Sequence, residues 1–261
     1  MDEGIGKTVK QFLLWSFLYV ATAIIGLILG HICKSQEIMK WTLALGYLLI
    51  SIVYFGKRYV DLSFGRIERR MVWPAVGMSV LIAVANLFVL FFVLSMLDIN
   101  RLFMEESESL DKIGPNLFSG IAGILSSCII VPIVEEIGFR GILLAGLLKS
   151  RCRPWLAILI TAIVFALFHM SLVKIISTIG MGIIFGWLYW RTGSIIPGII
   201  IHIVNNSLCI VFAFIDLSIE SRAILWVILA VCLSSLAYGF WWFWKKCKFF
   251  SDGEYSESVT E

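Results

Sequence analysis

The chain has 261 residues, of which 60% are hydrophobic and 15% charged, against roughly 45–50% apolar and about 25% charged in an ordinary soluble domain. With a mean hydropathy of +0.95, this composition excludes a soluble globular enzyme. At about 20 apolar residues per crossing, the length accommodates about eight transmembrane helices in a single all-α, polytopic membrane domain over 1–261. The formal net charge of +3 sits in clusters between apolar runs, so it bears on membrane topology and gives no reason to expect a nucleic-acid partner.

In chain order, the first apolar run covers 11–30, behind Lys7 and Lys10. It exceeds the roughly 7–15 residue core of a signal peptide and lacks a convincing cleavage site, which predicts a retained helix. Further runs follow at 39–55, 72–97, 117–148, 155–170, 172–190, 195–214 and 223–244. The run at 117–148 is too long for a simple crossing and contains Pro132 beside its only charges, so it is expected to bend or break there. Two polar stretches remain, an acidic connection at 98–116 with Glu105, Glu106, Glu108 and Asp111, and an acidic cytoplasmic tail at 245–261. Both read as solvated. Trp241, Trp242 and Trp244, followed by Lys245, Lys246 and Lys248, form an aromatic and basic anchor at the last boundary.

Basic residues in alternate connections are unequal. Fourteen lie in the set from Lys7 through Lys57, Arg58, Lys149 and Arg191 to Lys248, and six in the set from Lys34 through Arg101 to Arg222. The positive-inside rule therefore predicts a multi-pass integral membrane protein with both termini cytoplasmic, and its compactness suggests a bacterial cell membrane. The six cysteines, Cys33, Cys128, Cys152, Cys209, Cys232 and Cys247, form no CxxC pair and read as reduced packing residues. Cys247 alone, in the basic stretch, is a candidate for palmitoylation.

Arg140 is the one basic residue left over, and it lies inside the fourth run with Glu135 and Glu136. A charge at mid-membrane costs at least about 2.5–3.5 kcal/mol, so it persists where it is paired, hydrated or needed. Glu136 and Arg140 are four apart and can neutralise each other on one helical face. That pairing leaves Glu135 unexplained. Of the three histidines, His31 reads as an interfacial side chain at a helix end. Phe165 and His169 share one helical face, as do His202 and Asn206 on a later helix. Singly, each histidine is better read as a hydrogen bond between helices than as a catalyst. Together with the glutamates they supply a carboxylate base, imidazoles and donors for an oxyanion.

The ordered motifs Glu135-Glu136-x-x-x-Arg140, Phe165-x-x-x-His169 and His202-x-x-x-Asn206 resemble those of the CAAX-protease and bacteriocin-processing (CPBP, or Abi) family of intramembrane endopeptidases. The resemblance covers a motif-bearing core at 117–214 and does not extend to the first third of the chain. It implies an eight-helix membrane fold and peptide-bond hydrolysis within the bilayer, on a membrane-bound peptide or protein. Eukaryotic members trim prenylated CAAX proteins, and bacterial relatives are linked to bacteriocin maturation, self-immunity and processing of secreted peptide signals. It further implies that Glu135 and His169 polarise a water, that His202 and Asn206 hold the oxyanion, and that Arg140 neutralises Glu136.

Two imidazoles and a carboxylate are also a conventional zinc set. HExxH is absent, however, and Asn206 suits an oxyanion better than a metal, so no cofactor is expected. A cavity between the helices carrying the three motifs, open to the cytoplasm, is expected to admit water. Competing readings are a proton- or ion-coupled transporter, which would use the same buried groups, and a non-catalytic immunity or scaffold protein. Cys128, two turns before Glu135, has no neighbour in sequence to activate it as a nucleophile. Gly138, Gly141, Gly146, Gly180, Gly182 and Gly186 read as packing surfaces.

Overall fold

The computed structural model describes residues 3–56, 67–96, 120–169, 172–213 and 222–247. Lys57, Arg58, Arg66, Arg101, Lys112, Lys248, the acidic cluster from Glu105 to Asp111 and the tail beyond residue 247 lie outside the described residues. Among the described residues there is no strand. Each of the eight apolar runs is a helix: α1 (Glu3–Ile32), α2 (Gln36–Gly56), α3 (Val72–Met96), α4 (Gly120–Lys149), α5 (Pro154–Leu167), α6 (Leu172–Thr192), α7 (Ile196–Ala213) and α8 (Arg222–Lys246). Among the described residues five of them, α1 to α4 and α8, are long and apolar enough to cross a membrane. With 14 residues, α5 rises only about 21 Å, less than the roughly 30 Å hydrocarbon core. Leu13, Phe17, Leu45, Leu49 and Val227 stand more than half exposed on the outside while glutamate and arginine are buried within. This inside-out arrangement is that of an all-α polytopic membrane protein.

The expected break in α4 does not occur. The helix runs continuously through Pro132, and its irregularity takes the form of two π-helical stretches, Ser126–Ile130 and Ile137–Leu144, on either side of the glutamates. The wider turn explains how the proline fits. Val131 donates its N–H five residues back, to Ser126, and Pro132 has no N–H to give to the next carbonyl, that of Ser127. A side chain from another helix fills that vacancy: Asn206 Nδ2 on α7 donates to Ser127 O at 3.0 Å.

Helix α4 is the hub and touches α1, α2, α5, α6 and α7, while α8 packs against α3. Its glycines act as the sequence suggests. A Cβ on Gly138 would collide with the indole of Trp15, and one on Gly146 with Thr8, so α1 lies directly against α4. Gly182 and Gly186 likewise bring α6 within contact of Ala162 and Ile158 on α5, although a Cβ on Gly180 would meet nothing. Gly138→Ala is expected to cost about 1–3 kcal/mol by overpacking, read as a lower thermal midpoint of the full-length protein in detergent. An unchanged midpoint would mean that α1 is seated elsewhere.

The end of α8 departs from a simple lipid anchor. Trp242 is buried, and Trp244 lies under Arg191, whose Cζ is 4.5 Å from the ring centroid. Arg191 Nη2 donates to the carbonyls of Trp244 at 2.6 Å and Cys247 at 3.1 Å, groups a helix end leaves without internal donors. Cys247 is buried, which removes the exposure that acylation would need. The described cysteines are all free thiols, in keeping with a reduced packing role, although Cys33 and Cys209 are exposed.

Candidate active site

Glu135 and Glu136 are adjacent on α4, so their side chains leave the helix in different directions. Glu136 is 0% exposed and Arg140 1%. The two meet as the four-residue spacing predicts, with Arg140 Nη1 donating to Glu136 Oε1 at 2.7 Å. Arg140 Nη2 donates to the Gly182 carbonyl at 3.3 Å. Its guanidinium lies over two rings, Phe165 at 4.5 Å and Phe185 at 4.9 Å, where a flat, weakly hydrated cation is favoured over an ammonium.

His202 on α7 is 3% exposed and bridges the glutamates. Its Nδ1 is 3.3 Å from Glu136 Oε1, and its Nε2 is 3.6 Å from Glu135 Oε2. Because the carboxylate of Glu136 can only accept, Nδ1 carries the proton in that contact. Glu136 therefore fixes the tautomer and orientation of the ring, as such partners do for functional histidines. The space beside it is tight, since a Cβ at Gly198, one turn earlier, would stand 2.7 Å from Glu136 Oε2. Among the described residues, that oxygen and Arg140 Nε have no hydrogen-bond partner.

Glu135 is 8% exposed. The expectation that it is left without a partner is corrected: Tyr19 Oη on α1 donates to Glu135 Oε1 at 2.8 Å. Oε2 faces His202 across 3.6 Å, wider than a hydrogen bond, so neither group is committed to the other.

His169 does not lie within a helix, as the run at 155–170 implied, but in the turn after α5 ends at Leu167. The last carbonyls of a helix lack internal donors, and His169 Nδ1 donates to that of Phe165 at 3.1 Å. The ring nitrogen Nε2 is left as the one able to accept a proton. Among the described residues His169 makes no hydrogen bond to Glu135. It joins the others through Phe165, whose ring is edge-on to His169 at 5.0 Å and to His202 at 5.8 Å. Asn206 is one turn beyond His202. One of its amide hydrogens is engaged by Ser127 O, which leaves the second for another acceptor.

Aromatic rings of α1, α5 and α6 pack beside the motif residues: Phe165 and Phe185 lie against Arg140 and His202, and the Tyr19 phenol meets Glu135. Among the described residues no three His, Cys, Asp or Glu side chains are placed to hold one metal ion. Two contributors went unread in the sequence. Tyr19 and the Phe185 ring carry no charge, and the only signal for Tyr19 was a hydroxyl in the middle of an apolar run.

Comparison with known proteins places this arrangement. Residues 117–208 match the family model described as type II CAAX prenyl endopeptidase Rce1-like. A protein of Bacillus subtilis (strain 168) named "Putative membrane peptidase YdiL" is 29% identical over 141 residues, 52% of this chain and 57% of its own length. The chain thus spans little more than half of that curated relative. No solved structure matches it. In keeping with the CAAX-protease resemblance of its three motifs, the segment carrying Glu135, Glu136, Arg140, His169, His202 and Asn206 lies within the stretch that is similar to the Rce1-like CAAX prenyl endopeptidase family.

Proposed function

We propose that the chain is a glutamate-dependent intramembrane endopeptidase acting on a membrane-associated peptide or protein. The observation that carries this reading is the juxtaposition of Glu135 Oε2 and His202 Nε2, 3.6 Å apart, in an apolar interior where neither would persist without a task. Glu135, helped by His169 Nε2, takes a proton from water as the water oxygen bonds to the scissile carbonyl carbon. The carbonyl electrons move onto oxygen, and that oxyanion is received by the free amide hydrogen of Asn206 and by His202 acting as an imidazolium, with Nδ1–H kept on Glu136 and a second proton on Nε2 facing the oxyanion. Collapse re-forms the carbonyl and breaks the C–N bond, and the proton passes from Glu135 to the leaving amine. Glu136 and Arg140 hold His202 in place and offset charge. Glu136 is engaged by Arg140 and His202 Nδ1, and Asn206 suits an oxyanion better than a metal, so no step is assigned to one.

The test is the purified full-length chain in mixed micelles with a prenylated CAAX-box peptide. The protein is expected to release the C-terminal fragment at a rate insensitive to chelation, and His169→Ala is expected to lower kcat by about a hundredfold. Loss of activity with chelator and its return with zinc would overturn the metal-free mechanism. Absence of hydrolysis, with proton flux in liposomes, would favour the transporter instead.

A further inference from the structure

Helix α1 lies outside the segment that matches the family, yet it is built onto the site in a fixed antiparallel register. Thr8 fills the space left by Gly146, Phe12 meets Phe139 with ring centroids 5.5 Å apart, and Trp15 fills the space left by Gly138. One turn further on α1 and one turn back on α4, the same register brings Tyr19 to Glu135, where Oη donates to Oε1 at 2.8 Å. The phenol ring is held on both sides, by Trp15 at 5.3 Å and by Tyr47 of α2 at 4.6 Å, nearly parallel to each. A ring stacked on two faces has little freedom to swing its hydroxyl elsewhere.

We propose that Tyr19 is a positioning residue for Glu135: its phenol holds Oε1 and thereby directs Oε2 toward His202 and the reacting water. This rests on the reading of Glu135 as the base. A carboxylate on a three-torsion side chain in an apolar interior would otherwise be free to turn either oxygen toward the donors gathered around Glu136. Holding one oxygen selects one rotamer, which is the kind of preorganisation a general base requires. Tyr19 touches neither water nor substrate in this scheme, so its effect falls on turnover and not on substrate affinity.

The experiment compares wild type, Tyr19→Phe and Glu135→Gln as full-length proteins, with the prenylated CAAX-box peptide as probe. Phenylalanine keeps the ring and both stacks and removes only the hydroxyl. Tyr19→Phe is expected to lower kcat about tenfold or more with KM within about twofold, the size of one hydrogen bond to a charged group. In infrared difference spectra, the carboxylate band that Glu135→Gln abolishes is expected to move in Tyr19→Phe. Replacement of Tyr19 by 3-fluorotyrosine, which keeps the hydroxyl, is expected to keep both turnover and band close to wild type, and it serves as the test should Tyr19→Phe fail to fold. The proposal is overturned if the band stays in place, or if it moves while kcat does not. Full activity in Glu135→Gln would instead sink the functional reading, and a band shift without a base to position would mark that case as distinct.

Discussion

Glu135→Gln is expected to lower kcat for peptide hydrolysis by on the order of 10²–10⁴-fold, the range general-base catalysis supplies. The substitution is nearly isosteric, and the amide oxygen can still accept from Tyr19 Oη at the 2.8 Å position that Oε1 holds. Packing against α1 should therefore survive, with a thermal midpoint close to that of wild type. What disappears is the negative charge and the basic oxygen opposite His202 Nε2, 3.6 Å away. Substrate affinity should change little, so kcat and kcat/KM fall together, the mark of an interaction made in the transition state. Turnover equal to wild type in this variant would exclude Glu135 as the base and leave the transporter and scaffold readings standing.

The charged half of this site was legible in the sequence because charge in an apolar run is an anomaly that needs a cause. Glu135, Glu136 and Arg140 stood out by that route, His202 and Asn206 by their shared helical face and the resemblance of the motifs, and the four-residue spacing correctly predicted the pairing of Glu136 with Arg140. Helix positions were legible too, since apolar runs of this length leave little choice in a bilayer. What could not be read was anything that depends on which helix stands next to which. Tyr19 belongs to a run with no motif, and its contact with Glu135 comes from a register set by Gly138 and Gly146. The amide of Asn206 was expected to face only an oxyanion. Its bond to Ser127 exists because Pro132 deprives that carbonyl of a helical donor, a consequence that requires knowing α7 lies against that turn. The end of α5 before His169 was hidden for a similar reason, since no proline, glycine or charge marks it and hydropathy continues past it.

Arg140→Met is expected to destabilise the protein by about 3–5 kcal/mol, because it removes the partner of a carboxylate that stays buried. Glu136 is 0% exposed, and without the guanidinium its remaining neighbour is His202 Nδ1 at 3.3 Å. Arg140 also holds three elements together, through Glu136 on its own helix, the Gly182 carbonyl of α6 and the Phe165 ring of α5. Lysine cannot reproduce a fork that also lies over two rings, so Arg140→Lys should fall between Met and wild type. The decisive comparison is the double variant Glu136→Gln with Arg140→Met. Removing both charges removes the uncompensated one, so the double variant should regain most of the thermal midpoint lost by Arg140→Met, as replaced buried ion pairs often do. Hydrolysis should not return with stability, because the carboxylate that orients His202 is then gone. A single variant as stable as wild type would mean that water or a proton reaches Glu136, and that the Arg140 pair is not what keeps a charge in the membrane interior.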